Sequence, residues 1–213
     1  MLKAVLNSVS SWLKSVSYYK QTCCLGLLTS TVFVVIYCSC TKNKKRPKPV
    51  RYVNEVIFFE DNNRYRNFDK RNHRSVENLK KLTDYLDSAK VSLNICVFTI
   101  TSHKLGEVIL KKFREGVNVR IITDDSMAYG DGSQIAKFRK EGIVVRARCS
   151  ESLMHHKFAI VDDEILINGS FNWTEQATFG NWENVIITSV PVKMVESYVD
   201  HFNSLWIKLN TDS

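Results

Sequence analysis

The sequence predicts an α/β fold, a single domain over residues 53–213 with a mixed central sheet flanked by helices, preceded by an N-terminal transmembrane helix. Three observations predict it. Short β-branched runs alternate with amphipathic helical stretches from residue 53 onward. A nineteen-residue stretch near the N-terminus carries no charge. After the linker that follows it, about 160 residues remain, enough for one well-buried core. No internal repeat divides them.

In chain order, Leu2, Val5, Val9, Trp12, Val16 and Tyr19 recur at helical spacing, so residues 1–21 read as an amphipathic segment at an interface or an extension of the anchor. Thr22 to Cys40 is free of charge and as a helix would run about 28 Å, one hydrocarbon core. A cleaved signal peptide is the competing reading, but the apolar stretch begins past residue 20 and is followed by Lys42, Lys44, Lys45 and Arg46. With Lys48 and Arg51, six basic residues lie after the stretch against three before it (Lys3, Lys14, Lys20), which puts the large domain in the cytosol. Residues 41–52 form a basic linker. A short span with basic flanks suits the mitochondrial outer membrane, with the endoplasmic reticulum left open by composition.

The net charge of +8 and pI of about 9.2 invite a nucleic-acid reading. Nine of the 30 basic residues, however, lie in residues 1–54, which hold no acid, leaving 21 basic against 22 acidic side chains downstream. The domain itself is nearly neutral. Cys23, Cys24, Cys38 and Cys40 lie in or beside the anchor, as small apolar filler or palmitoylation sites. Only Cys96 and Cys149 remain in the domain, which excludes a disulfide framework.

Within the domain the pattern predicts a strand at Val53 to Phe59, a helix at Ser75 to Ala89, a buried strand at Val91 to Phe98 and a helix at Lys104 to Glu115 stopped by Gly116. It repeats as strand Val117 to Thr123, helix Ser133 to Glu141 before Gly142, and strand Ile143 to Arg148. A hairpin, a strand at Asn184 to Thr188 and a helix from Val192 to Leu209 opened by Pro191 complete it.

The hairpin carries the chemistry. His155-His156-Lys157-Phe158-Ala159-Ile160-Val161-Asp162 alternates as a strand, so His155 and Lys157 project from one face while His156 turns away as a packed structural histidine. An acidic turn (Asp162, Asp163, Glu164) leads to a second strand at Ile165 to Ile167, which brings Gly169, Ser170 and Asn172 beside the first. Phosphodiester cleavage needs a nucleophile, donors for the charged oxygens and an acid for the leaving group. His155 is the candidate nucleophile, and Lys157, Ser170 and Asn172 are candidate phosphate ligands. A histidine nucleophile needs an acceptor on its second ring nitrogen, and Glu183 is the candidate. Asn168-Gly169-Ser170 and Asn172-Trp173-Thr174 also read as glycosylation acceptors, and glycans there would block this site, which favours the cytosolic side.

His-x-Lys-x4-Asp followed by Gly-Ser-x-Asn and a downstream Glu resembles the phospholipase D superfamily. The wider wording, Met154-His155-His156-Lys157 through Asp162, then Gly-Ser-x-Asn-Trp-Thr and Glu183-Asn184-Val185, resembles its mitochondrial phospholipase D branch, called Zucchini in insects, over Glu55 to about Lys208. The resemblance implies a catalytic set of His155, Lys157, Asp162, Asn172 and Glu183, an N-terminal anchor and a phosphohistidine intermediate. It also implies a homodimer, because the family mechanism uses two histidines and this chain has one motif. No catalytic metal or other cofactor is required. Asp162 belongs to the motif, but a carboxylate aimed at phosphate would repel it, so it is expected to pair with lysine or backbone groups.

Animal relatives carry a Cys/His zinc element between the first strand and first helix. Here Glu60 to Arg74 holds His73 and no cysteine, so the family's structural zinc is expected to be absent. The same segment interleaves five basic residues, Arg64, Arg66, Lys70, Arg71 and Arg74, with Tyr65 and Phe68, a composition suited to phosphate contact and base stacking, with a solvated basic loop as the plain alternative. Lys104, Lys111, Lys112, Arg114, Lys137, Arg139 and Lys140 read as exposed helix faces. Three functions fit: an endonuclease on single-stranded RNA, in this branch the processing of Piwi-interacting RNA precursors; a phospholipase acting on cardiolipin in the adjacent membrane; and an inactive membrane adaptor.

Overall fold

The computed structural model describes residues 52–60, 68–148 and 151–209. The N-terminal segment, the anchor, nearly all of the linker, Arg64, Tyr65, Arg66 and Cys149 lie outside them. Among the described residues no helix is long and apolar enough to cross a membrane.

Seven strands form one mixed sheet: β1 (Asn54–Phe59), β2 (Ser92–Val97), β3 (Asn118–Asp124), β4 (Val144–Arg148), β5 (Lys157–Val161), β6 (Ile165–Gly169) and β7 (Glu183–Thr188). Their order is β1-β7-β6-β5-β2-β3-β4. The half β2-β3-β4 is parallel, as crossover helices require, and the half β5-β6-β7-β1 is antiparallel. β5 joins them by running antiparallel to β2, with Cys96 opposite Phe158 and Val97 opposite Lys157.

The helices are α1 (Phe68–Asp87), α2 (His103–Arg114), α3 (Asp125–Ala128), α4 (Ile135–Lys140), α5 (Glu175–Phe179) and α6 (Val192–Lys208). Strand alternation divides the core. Ile57, Phe59, Leu93, Ile95, Ala159, Val161 and Ile167 face one layer, which Leu82 and Leu86 of α1 and Ile109 of α2 share. Cys96, Ile122, Phe158, Ile160 and Leu166 face the other, closed by Val195 and Phe202 of α6. Both faces of β5 are therefore buried, and a Phe158→Ala cavity there would cost about 3–5 kcal/mol. Burial pushes the Cys96 thiol up to about 12, so it behaves as a small apolar residue.

Three elements depart from the expected layout. α1 begins at Phe68 rather than Ser75, so Lys70 and Arg71 lie on a helix and not in a loop. Those leading turns carry no apolar period to reveal them, and a helix already nucleated over its buried stretch extends at little cost. α3 and α5, of four and five residues, are too short for periodicity. Only their caps mark them: Asp124 accepts from the Ser126 N–H at 3.1 Å, and Thr174 from the Ala177 N–H at 3.0 Å.

Candidate active site

The motif sits where the two halves of the sheet meet. Strand alternation places Lys157 with Ala159 and Val161 on one face and His156 with Phe158 on the other, where His156 is exposed rather than packed as expected, because it lies ahead of the strand's buried stretch. His155 is exposed, and its ring meets the Phe98 ring edge-on at 4.8 Å. Lys157 Nζ lies 5.4 Å from the centre of that same ring and donates to the His155 carbonyl at 2.8 Å. Phe98 thus positions both side chains, a role that sequence reasoning missed because it follows from the β2–β5 pairing alone.

The approach to His155 is held by a second residue missed in the sequence. Buried Asp124, at the end of β3, accepts from the Met154 N–H at 2.8 Å while capping α3. The Phe98 N–H donates to the His156 carbonyl at 2.8 Å. The two flanking residues of His155 are therefore tied to β3 and to the end of β2.

Gly-Ser-x-Asn closes the opposite wall. A side chain at Gly169 would run into the Asn184 carbonyl of β7, so only glycine lets the strands approach this closely. The next residue, Ser170, donates through its hydroxyl to Glu183 Oε2 and accepts from the Asn184 N–H at 3.1 Å. Glu183 Oε1 accepts from Asn181 Nδ2 at 2.9 Å. The carboxylate that the sequence assigned to the His155 ring is thus engaged by Ser170 and Asn181, which β6–β7 pairing and the turn before β7 bring nearer to it. Burial lowers the Lys157 pKa, and the charge of Glu183 opposes that shift, which couples the two walls electrostatically.

Asn172 lies between two fixed points. Phe171 stacks on Phe59 at 4.4 Å, and Trp173 bridges to Ile100, its N–H donating to the Thr99 carbonyl next to Phe98. Asn172 Oδ1 is buried without a hydrogen-bond partner. A buried amide oxygen is costly to leave unpaired, and such an acceptor suits a donor that arrives with substrate or with a second chain.

Asp162 lies at the other end of β5 from His155 and Lys157. It and Asp163 adopt φ of 54° and 56°, which aspartate tolerates better than most residues. Its carboxylate accepts from the backbone N–H groups of Lys90, Val91 and Ser92 at 2.9, 2.7 and 2.9 Å. Its observed contacts fasten the end of β5 to the start of β2.

His73 is exposed and faces Glu77 at 3.3 Å. With no cysteine in Glu60 to Arg74, these residues do not fit a four-ligand zinc element. Among the described residues no group of three or more His, Cys, Asp or Glu is placed to hold a metal ion. The helix cations are largely committed to acids: Lys111 to Asp87 at 2.7 Å, Arg114 to Glu141 at 2.9 Å, Lys137 to Glu107 at 2.5 Å, and Lys112, expected on an exposed face, is buried and paired with Glu115 at 2.5 Å.

Residues 82–206 match the family model described as cardiolipin synthase, PLD-like domain. A Chlamydomonas reinhardtii protein named mitochondrial cardiolipin hydrolase is 45% identical over 162 residues, covering 71% of this chain and 72% of its own length. The human protein of that name is 42% identical over 132 residues, 62% of this chain and 52% of its length. The chain spans about half to three quarters of these relatives. Among solved structures, the phospholipase D family member Nuc from Salmonella typhimurium superposes with a TM-score of 0.58 at 24% identity, over 72% of this chain and 93% of that one. NucT from Helicobacter pylori gives 0.60 at 20% identity, over 72% and 95%. Both share the fold. With the His-x-Lys-x4-Asp strand and the Gly-Ser-x-Asn turn carried by neighbouring central strands, the chain belongs to the phospholipase D superfamily of phosphodiesterases, alongside relatives named mitochondrial cardiolipin hydrolase.

Proposed function

We propose that the chain is a dimeric phosphodiesterase that cleaves single-stranded RNA through a phosphohistidine on His155. The observation that carries the chemistry is the shared placement of His155 and Lys157 against Phe98. The His155 ring attacks phosphorus and forms the P–N bond, while the leaving oxygen takes a proton from the partner subunit's His155. Water then cleaves the P–N bond, activated by the histidine that gave up its proton. Lys157, Ser170 and Asn172 hold the charged oxygens, and Glu183 orients the histidine once Ser170 turns to the phosphate. Asp162 supports the strand. No step calls for a metal ion.

RNA is favoured by the exposure of His155 and by Trp182, 70% exposed beside Glu183, which suits base stacking. Lys70 and Arg71 at the start of α1, with Arg64, Tyr65 and Arg66 before them, supply the matching cationic composition. In this branch that activity implies Piwi-interacting RNA precursors at the cytosolic face of the mitochondrial outer membrane, with residues 22–40 as anchor. The name that the relatives carry favours a second reading, hydrolysis of cardiolipin to phosphatidic acid.

Wild type and His155→Ala are to be assayed side by side on single-stranded RNA and on cardiolipin vesicles. We expect RNA cleavage by the wild type and at least a thousandfold loss in a folded His155→Ala dimer. Cleavage of cardiolipin alone would select the lipid reading, and activity on neither would select an adaptor. Retained activity in His155→Ala would sink the mechanism.

A further inference from the structure

We propose that His156 and His201 form a binding site for one divalent transition-metal ion of the zinc or copper class, on the α6 side of the sheet and apart from the phosphodiesterase residues. The two rings come from the entry to β5 and from the middle of α6. Their Nε2 atoms lie 3.2 Å apart, and their ring centres 5.1 Å apart at an interplanar angle of 84°.

These separations are those of two ligands on one ion. Two imidazole nitrogens each about 2.0–2.1 Å from a tetrahedral ion lie about 3.3 Å apart, with ring centres about 5.2 Å apart. A straight N–H···N hydrogen bond of the observed length would hold the rings end to end, with centres about 5.5 Å apart. The observed rings are closer than that, so the pair is bent rather than end to end, as two ligands of one ion are.

The surroundings leave room for the rest of a coordination sphere. His156 and His201 line a cavity of about 300 Å³ with Phe158, Asn168, Ser197 and Tyr198. Asn168 and Ser197 offer oxygen atoms, and the cavity admits water. Phe158 packs edge-on against His156 at 5.7 Å and fixes its direction. Burial foremost, then the charges of His201, Lys157 and His155, lowers the His156 pKa, the direction that favours a metal ligand. Ligation through both Nε2 atoms requires each ring to carry its proton on Nδ1, so the proton between the two rings of the metal-free pair moves to the far nitrogen of its ring.

Such an ion would tie the first turn of the motif to α6. The His156 carbonyl already accepts from the Phe98 N–H on the end of β2, so the ion would fasten β2, β5 and α6 at one residue, next to His155. Its role is structural.

The test uses the full chain in detergent, stripped with a chelator and dialysed to equilibrium against Zn²⁺ alone. Wild type is expected to bind one Zn²⁺ per chain more than His201→Ala or His156→Asn at concentrations that fill the site, with at least a tenfold loss of affinity in each variant. His103→Ala is the control and keeps the wild-type number, and the cysteines contribute equally to all four proteins. Loaded with Cu²⁺, the wild type should show two nitrogen ligands by electron paramagnetic resonance and His201→Ala one. His201→Gln replaces His201→Ala if circular dichroism shows the latter unfolded. Equal Zn²⁺ stoichiometry and affinity in wild type and both folded variants would mean a hydrogen-bonded pair only, and would overturn the proposal.

Discussion

The parallel and antiparallel halves of the sheet treat their polar groups differently. Around β2-β3-β4, the helices pair their charges with one another: Lys111 of α2 with Asp87 at the end of α1, Lys137 of α4 with Glu107 of α2, and Arg114 of α2 with Glu141 at the end of α4. Exposed pairs of this kind contribute little to stability individually. They do occupy cations that would otherwise attract phosphate. Around β5-β6-β7, polar side chains converge instead, with Ser170 shared between Glu183 and the Asn184 N–H and with Asn172 Oδ1 left unpaired. One half is a finished scaffold. The other keeps hydrogen-bonding capacity in reserve, which is what a site that must exchange partners with substrate requires.

The contrast is broken if damage to the scaffold and damage to the reserve cannot be separated. Phe138 of α4 is fully buried in the parallel half. Phe138→Ala should cost about 3–5 kcal/mol in urea unfolding, while the folded fraction keeps its kcat. A fall in kcat matching that in stability would deny the division. Lys157→Met should do the reverse, lowering kcat/KM by about 10²–10³-fold. Its urea midpoint should stay close to that of the wild type, since the lysine is paired with no carboxylate and its stem is retained. The smallest effect is expected at the seam. Asp162→Ala orphans the N–H groups of Lys90, Val91 and Ser92 and should cost about 1–3 kcal/mol. An unchanged unfolding midpoint would show that Asp162 does not fasten the halves together.

The strands were legible because each buried run alternates or is wholly apolar, and α2, α4 and α6 because their apolar spacing is bounded by Gly116, Gly142 and Pro191. His155, Lys157, Gly169 and Ser170 were legible for a different reason, since they lie within sixteen residues of one another on a single hairpin. Residues that reach the site through pairing were not. Phe98 and Asp124 approach His155 only because β5 lies against β2 and β2 against β3, contacts separated by dozens of residues along the chain. The engagement of Glu183 by Ser170 likewise depends on the register in which Gly169 stands opposite Val185, and no local pattern encodes a register. His201 carried no motif and became notable only when α6 closed over Phe158.

The strand order has a consequence in time. β1, the first strand made, hydrogen-bonds in the sheet to β7 and to no other strand. Residues 60–182 must therefore leave the ribosome before β1 finds its place, a delay of roughly 6–25 s at about 5–20 residues per second. Through that interval the apolar segment Val56-Ile57-Phe58-Phe59 is an unpaired edge, and the newborn chain is most vulnerable to aggregation just before β7 emerges to pair with it.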